Sequence, residues 1–285
     1  MTFACPAKIN LTLEVLDRRS DGYHTLRSVM VPLELGDTLE ITPAASFSFA
    51  CSDPALAGEE NLIVRAARAL DPLPAVALML RKVTPQQAGL GGGSSDAAAV
   101  LRAAMAGALG CSYAVDWLAL ARSLGSDVPF FLTDSGALVE GTGERVTALG
   151  ALPSWHVLII KPPVAVPTAA AYRELDRIAR PSRPRSTSVS LTMLEAVQRG
   201  DFDAVERALS NDFHDAIAAS APPVARAIDA LRKAGAKNAL LAGSGSAVFT
   251  LARDAATIAS IDSRLDLEAP FLRFPTAFAH GGSWR

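Results

Sequence analysis

The 285-residue chain reads as an α+β protein of two domains, and three features of the sequence carry that reading. The first fifty residues are rich in short β-forming runs. Alanine-rich helical patterns follow, and strand patterns then return at HVLIIK and again near the C-terminus. Half of the residues are apolar, so a chain of this length can bury a large core in one or two domains.

Taken in order, LTLEVL, RSVMVPLEL, DTLEITP and SFSFAC alternate or are β-rich and are separated by the turn signals RRSDGY and LGD, which predicts an N-terminal sheet. Helices are expected over 61–70, 96–109 and 116–124, the last ending at Gly125. GALVEGTGERVTAL reads as a hairpin and HVLIIK as a strand. VPTAAAYREL opens a helix with Thr168 as its expected N-cap. PSRPRSTS (181–188) is the most loop-like segment. Three amphipathic helical patterns follow, then NALLAGSGSAVFTLA as strand, Gly/Ser turn and strand. The boundary between domains is placed at residue 150, giving 1–150 and 151–285.

With 27 basic and 29 acidic residues the chain carries a net charge of −2, so it has no basic field for nucleic acid and a small-molecule partner is expected. Lysine is confined to Lys8, Lys82, Lys161, Lys233 and Lys237, which makes each of them worth explaining. Cys5, Cys51 and Cys111 are far apart and lack metal-ligand or disulfide spacing. No secretion signal opens MTFACPAKIN and no apolar run is long enough to span a bilayer, so a cytoplasmic protein without a membrane partner is expected.

The segment Pro85, Gln86, Gln87, Ala88, Gly89, Leu90, Gly91, Gly92, Gly93, Ser94, Ser95 runs directly into an alanine-rich helix. Glycines let a polyanion approach the backbone, and Ser94 or Ser95 can cap the helix, whose N-terminus attracts phosphate through its N–H groups and dipole. A P-loop would need Lys and then Ser or Thr after its last glycine, and GxGxxG meets Ser94 at its final position, so neither pattern is satisfied. A flexible Gly/Ser linker is the bland alternative, but linkers do not abut such a helix inside an apolar chain.

Four further motifs accompany this loop: PAKIN (Pro6–Asn10), RSDGYHTL (Arg19–Leu26), LGSDVPFFL (Leu124–Leu132) and AGSGSAVF (Ala242–Phe249). In this order, and over nearly the whole chain, they resemble the GHMP small-molecule kinases, and DGYHTL with GLGGGSS and GSDVP resembles the branch acting on a cytidine diphosphate-linked sugar alcohol. The resemblance implies an N-terminal domain like ribosomal protein S5 domain 2, a ferredoxin-like C-terminal domain, and an active site in the cleft between them. It implies ATP as phosphate donor, with Mg2+ expected and Ser94, Ser95 or Asp96 as its possible ligand. Asp127 would accept the hydroxyl proton with Lys8 paired to it, whereas in isolation the first reads as a turn aspartate and the second as a solvated lysine. Asn10, Tyr23 and His24 would bind the acceptor, the last two at its cytosine ring, and Asn61 would meet adenine. Gly243, Ser244 and Gly245 form the third motif, which would support the phosphate loop or approach substrate. Where family members often carry further glycines, this chain has Gln86, Gln87 and Ala88, which alters the pocket rim. The competing readings are a kinase of homoserine, mevalonate or a sugar, against which DGYH argues, and a nucleotide sensor, against which Lys8 and Asp127 argue.

Overall fold

The computed structural model describes all residues except 21, 23, 111, 178–187 and 281–285, so Tyr23, Cys111 and nearly all of the expected 181–188 loop lie outside the described residues. The chain opens with two long strands, β1 (Thr2–Arg18) and β2 (His24–Pro43), paired antiparallel. Along β1 the odd positions Ile9, Leu11 and Leu13 are apolar, whereas the even positions Lys8, Asn10, Thr12 and Glu14 are polar yet equally buried. Lys8 and Asn10 line the cleft, whereas Thr12 and Glu14, beyond a register shift in β1, bond instead to Ser190 and Ser188.

After β3 (Ser48–Cys51) come α1 (Leu62–Arg68), β4 (Val76–Arg81), α2 (Gly92–Met105), α3 (Trp117–Leu124), β5 (Gly136–Gly141) and β6 (Arg145–Gly150). The second half supplies β7 (His156–Lys161), α4 (Thr168–Arg177), α5 (Val189–Arg199), α6 (Phe202–Ala208), β8 (Ser210–Asn211), α7 (His214–Ser220) and α8 (Pro222–Lys233). It closes with β9 (Leu240–Leu241), β10 (Val248–Ala252), α9 (Ala255–Ser263) and β11 (Leu272–Ala277). One sheet has the order β3-β4-β2-β1-β8, with β5 joining β2 to β6, and the other runs β11-β7-β10-β9. β6 ends at Gly150, where the sequence places the domain boundary. The second half nevertheless returns to the first sheet through β8, which lies parallel to β1, and its Met193, Val197 and Val205 join the core of the first half. Leu13 and Val15 of β1 pack in turn into the second core with Ile160, Leu231 and Val248.

Several elements differ from their sequence expectation. Helix α2 starts at Gly92, so Ser94 and Ser95 are inside it rather than capping it, and it ends at Met105 rather than residue 109. Helix α1 spans fewer residues than 61–70 because Asn61 is its cap. Thr168 is the first residue of α4, and the Pro167 carbonyl accepts from Ala170 and Ala171 in the capping position. The three helical patterns expected after residue 188 are four helices, α5 to α8, because Gly200 in the left-handed region and Pro222 at a helix start cut the pattern into short pieces. Among the described residues no helix is long and apolar enough to cross a membrane.

Candidate active site

Gly91 takes φ of +72° and its carbonyl accepts the first helical bond, from Ser95 N at 3.0 Å. The N–H groups of Gly92, Gly93 and Ser94 therefore have no acceptor within the helix, and these residues line a cavity of about 550 Å³. Such free N–H groups at the positive end of α2 suit an anion. The loop before it is stitched down from both sides. Lys8 N donates to the Leu90 carbonyl (2.9 Å), Ala247 N to Ala88 (3.1 Å) and Ser246 N to Gln87 (3.4 Å). At Gly89, also at positive φ, a Cβ would overlap the Ala242 carbonyl oxygen, so glycine alone lets the third motif close against the loop. Gln87 has φ of +50°, a conformation that glycine would adopt with less strain, and it lies in the Gln86–Ala88 stretch where the resemblance leads one to expect glycine.

The third motif is fixed from elsewhere in the chain. Asn211 Nδ2 donates to the carbonyls of Leu241 and Gly243, both at 2.8 Å, and the Thr168 and Ser244 hydroxyls are 3.2 Å apart. Gly243, Ser244 and Gly245 all line the phosphate cavity. The motif borders this cavity, and the Ser246 and Ala247 that follow it bond to the loop.

Lys8 is buried, and its Nζ donates to Asn10 Oδ1 at 2.8 Å and lies 3.6 Å from Asp127 Oδ2. Asp127 follows the end of α3 and retains partial exposure on the cavity. The fold thus brings together two residues more than a hundred positions apart, the contact that the resemblance implies. Asn10 is less available than expected: it is fully buried, its Oδ1 faces Lys8 and its Nδ2 donates to Ser28 Oγ at 2.8 Å. Asn61 lines the cavity, but its amide caps α1 by accepting from Ile63 N (2.9 Å) and donating to the Leu56 carbonyl (2.8 Å), which leaves its side chain occupied. Gln86 reaches away to Asp53 at 2.8 Å.

Beneath the first turn of α2 lies a charge cluster that no contiguous motif announces. Lys82 Nζ bridges Asp37 Oδ2 and, at 2.8 Å, Asp96 Oδ2, while Asp37 Oδ1 accepts from Thr84 N at 2.7 Å. Burial, reinforced by Asp37 and only partly offset by Lys82, pushes the Asp96 carboxyl up to about 7. Burial opposes the Lys82 charge too, but Asp96 and Asp37 outweigh it and raise its pKa. The cluster fastens α2, and with it the phosphate-facing N–H groups, to β2.

A second cavity, of about 840 Å³, adjoins the first, and both are lined by Leu26, Ser126, Thr168 and Tyr172. His24 stacks on Tyr172 with centroids 5.2 Å apart and planes 9° from parallel, and its Nε2 lies 3.2 Å from Asp176 Oδ1. Phe213 meets Tyr172 edge-on at 4.9 Å. Arg18, Arg122 and Arg173 also border this space, giving it an aromatic floor and a cationic rim. Tyr172 was not singled out by the sequence, because it comes from α4, far from the DGYH motif that it supports.

The profile of the GHMP kinases N terminal domain matches residues 61–135, and that of GHMP kinases C terminal matches 193–266. The 4-diphosphocytidyl-2-C-methyl-D-erythritol kinase of Deinococcus radiodurans is 41% identical over 276 residues, covering 93% of this chain and 88% of that protein. The chain belongs to this kinase family. The kinase of the same description from Symbiobacterium thermophilum is 42% identical over 262 residues, covering 89% and 91%. A crystal structure of 4-(cytidine 5'-diphospho)-2C-methyl-D-erythritol kinase superposes on this kinase with a TM-score of 0.80 at 36% identity, over 98% of this chain and 100% of the other. Homoserine kinase from Cytophaga hutchinsonii superposes with a TM-score of 0.69 at 17% identity over 98% and 94%, a likeness of fold alone. The kinase is thus an ATP-dependent small-molecule phosphotransferase, and its two adjoining cavities suit a donor and an acceptor.

Proposed function

We propose that this kinase transfers the γ-phosphoryl group of ATP to the 2-hydroxyl of 4-diphosphocytidyl-2-C-methyl-D-erythritol, yielding the 2-phosphate and ADP in the non-mevalonate route to isopentenyl diphosphate. The observation that carries this reading is the position of the Lys8–Asp127 pair. Both residues line the phosphate cavity, and Ser126, next to Asp127, lines the acceptor cavity as well. The ATP phosphates lie on the N–H groups of Gly92, Gly93 and Ser94. The cytosine ring takes the His24–Tyr172 end, where the imidazole supplies a hydrogen-bonding edge beside a stacked aromatic surface.

In the reaction, the acceptor oxygen forms a bond to the γ-phosphorus as the bond to the β–γ bridging oxygen breaks, and ADP leaves with that electron pair. A carboxylate is too weak a base to ionise an alcohol in advance, so Asp127 takes the hydroxyl proton late, as the new P–O bond forms. Lys8 holds Asp127 toward the cavity and places positive charge beside the reacting oxygens. Positioning supplies most of the acceleration, since a crowded tertiary alcohol gains from being held at attack distance. Magnesium, when bound, would neutralise phosphate charge, and Asp96, whose Oδ1 is buried without a hydrogen-bond partner beside that cavity, and Ser94 are the residues that would hold it.

Steady-state ADP release tests the assignment with four acceptors: the full cytidylyl compound, methylerythritol 4-phosphate, homoserine and mevalonate. The full compound is expected to have the highest kcat/KM, with both kcat and KM impaired on truncation, because binding energy from the remote base holds the reacting end. Equal kcat/KM for the truncated compound, or faster turnover of homoserine or mevalonate, would overturn it.

A further inference from the structure

Lys8 owes its orientation to a hydrogen-bond relay that continues behind it into β2. Asn10 Oδ1 accepts from Lys8 Nζ at 2.8 Å, Asn10 Nδ2 donates to Ser28 Oγ at 2.8 Å, and Ser28 Oγ donates to the Thr12 carbonyl at 2.6 Å. Lys8, Asn10 and Ser28 are all buried, Asn10 and Ser28 completely.

The direction of each bond in this relay is forced. An ammonium group has donors only, so the atom that Asn10 turns to Lys8 must be its carbonyl oxygen. The Ser28 hydroxyl has a single hydrogen, and the Thr12 carbonyl can only accept it, so Ser28 presents a lone pair to Asn10 and requires the NH2 end there. Both ends of the relay select the same amide orientation. With Ser28 removed, one end would lose that requirement. The amide would then either keep a buried NH2 without an acceptor or turn that NH2 toward the Lys8 ammonium, donor against donor.

The backbone brings the relay together by two irregularities in the β1–β2 pairing. Register shifts fall between Pro6 and Lys8 and between Asn10 and Thr12, so the Lys8–Asn10 stretch lies between two breaks in the ladder. Such breaks re-aim side chains beside functional sites. Asn10 pairs with Met30, and Ser28, two residues earlier, projects from the same face of β2 as Met30, which puts its hydroxyl diagonally opposite the amide.

We infer that Ser28 is a positioning residue for phosphoryl transfer, acting through Asn10 to lock the Lys8 ammonium against Asp127 and the reacting oxygens. Asn10 is then part of the same device, and its contribution to the acceptor passes through Lys8. The inference rests on the kinase reading above. The two fail differently, since that reading fails when the wild-type enzyme does not turn over the cytidylyl acceptor, and this one fails on the coupling between two residues.

The test is a double-mutant cycle in kcat with Ser28→Ala, Asn10→Ala and the double variant. Ser28→Ala is expected to lower kcat by about tenfold to a hundredfold, the scale of a misplaced catalytic group, with KM for ATP essentially unchanged. In the Asn10→Ala background the same substitution is expected to cost less than about twofold, because its target is gone. Ser28→Cys, which keeps the volume and weakens the acceptor, gives the same readout should Ser28→Ala fail to fold. Ser28→Thr, which keeps the hydroxyl, is expected to recover most of the wild-type kcat. A full-sized Ser28→Ala loss in the Asn10→Ala background, or wild-type kcat in folded Ser28→Ala, would overturn the inference.

Discussion

The two halves of the cleft are built by different means. The half proposed for the ATP phosphates is made of backbone: the Gly91 turn, the free N–H groups of Gly92, Gly93 and Ser94, and a loop stitched to Lys8, Ala247 and Ser246. The half proposed for the acceptor is made of side chains drawn from distant segments, His24 from β2, Tyr172, Arg173 and Asp176 from α4, and Arg122 from α3. Phosphate looks alike in every ATP, so a fixed backbone cradle suffices. An acceptor has to be distinguished from others, and side chains can change without disturbing the cradle. Substitutions in the two halves are therefore expected to separate cleanly into effects on stability and ATP on one side and effects on acceptor on the other.

The largest effect is expected at Lys82. Lys82→Met leaves Asp37 and Asp96 facing each other without their cation beneath α2, and the loss of one partner from a buried ion pair costs about 3–5 kcal/mol. Denaturant unfolding measures it, and a loss below about 1 kcal/mol would mean that α2 is held by apolar packing alone. Gly89→Ala comes next, since its Cβ overlaps the Ala242 carbonyl and backbone must move; about 1–3 kcal/mol is expected together with weakened ATP binding in calorimetry. Gly93→Ala is the control, because its Cβ would meet only Leu62 at 3.7 Å, and it should unfold like wild type.

On the acceptor side, Tyr172→Ala removes the ring stacked on His24. Aromatic pairs are worth about 0.5–1.5 kcal/mol beyond their area, so KM for the acceptor should rise about tenfold while KM for ATP holds. A parallel rise in both constants would mean that the halves are not independent. A further effect concerns pH. Because the folded Asp96 carboxyl keeps its proton up to about 7 while the unfolded one releases it near the ordinary aspartate value of 3.8, the folded state binds more protons in that window and stability falls as pH rises through it. Asp96→Asn should flatten this decline, which is at most about 1.4 kcal/mol per pH unit, read as the difference between the two proteins' unfolding curves. Parallel curves would place the carboxyl in its ordinary ionised state.

The same division explains what could be read from the sequence. The glycine loop before α2 was legible because the whole segment is contiguous, and the Lys8–Asp127 contact because the family resemblance supplies it. The start of α2 was misplaced by a few residues: Gly92 and Gly93 resemble loop residues locally, but packing of the buried Ala97, Ala98, Ala99, Val100, Leu101 and Ala103 draws the helix back over them. Tyr172, Ser28 and the Asp37–Lys82–Asp96 cluster were not legible, since each acquires its role from partners on other elements. Sparse lysine usage was the one available signal for Lys82. The return of β8 to the first sheet was hidden because a two-residue strand has no periodicity to detect.

The central claim is that Asp127, paired with Lys8 where the two cavities meet, takes the acceptor proton during transfer. Asp127→Asn preserves shape while removing the proton acceptor, so its kcat with the cytidylyl acceptor, measured beside calorimetric ATP affinity, tests that claim most directly. The account predicts unchanged ATP affinity and a kcat lower by about 10²- to 10⁴-fold, the usual scale of general acid–base catalysis. Wild-type kcat in folded Asp127→Asn protein would contradict it and reduce Asp127 to a turn residue at the end of α3.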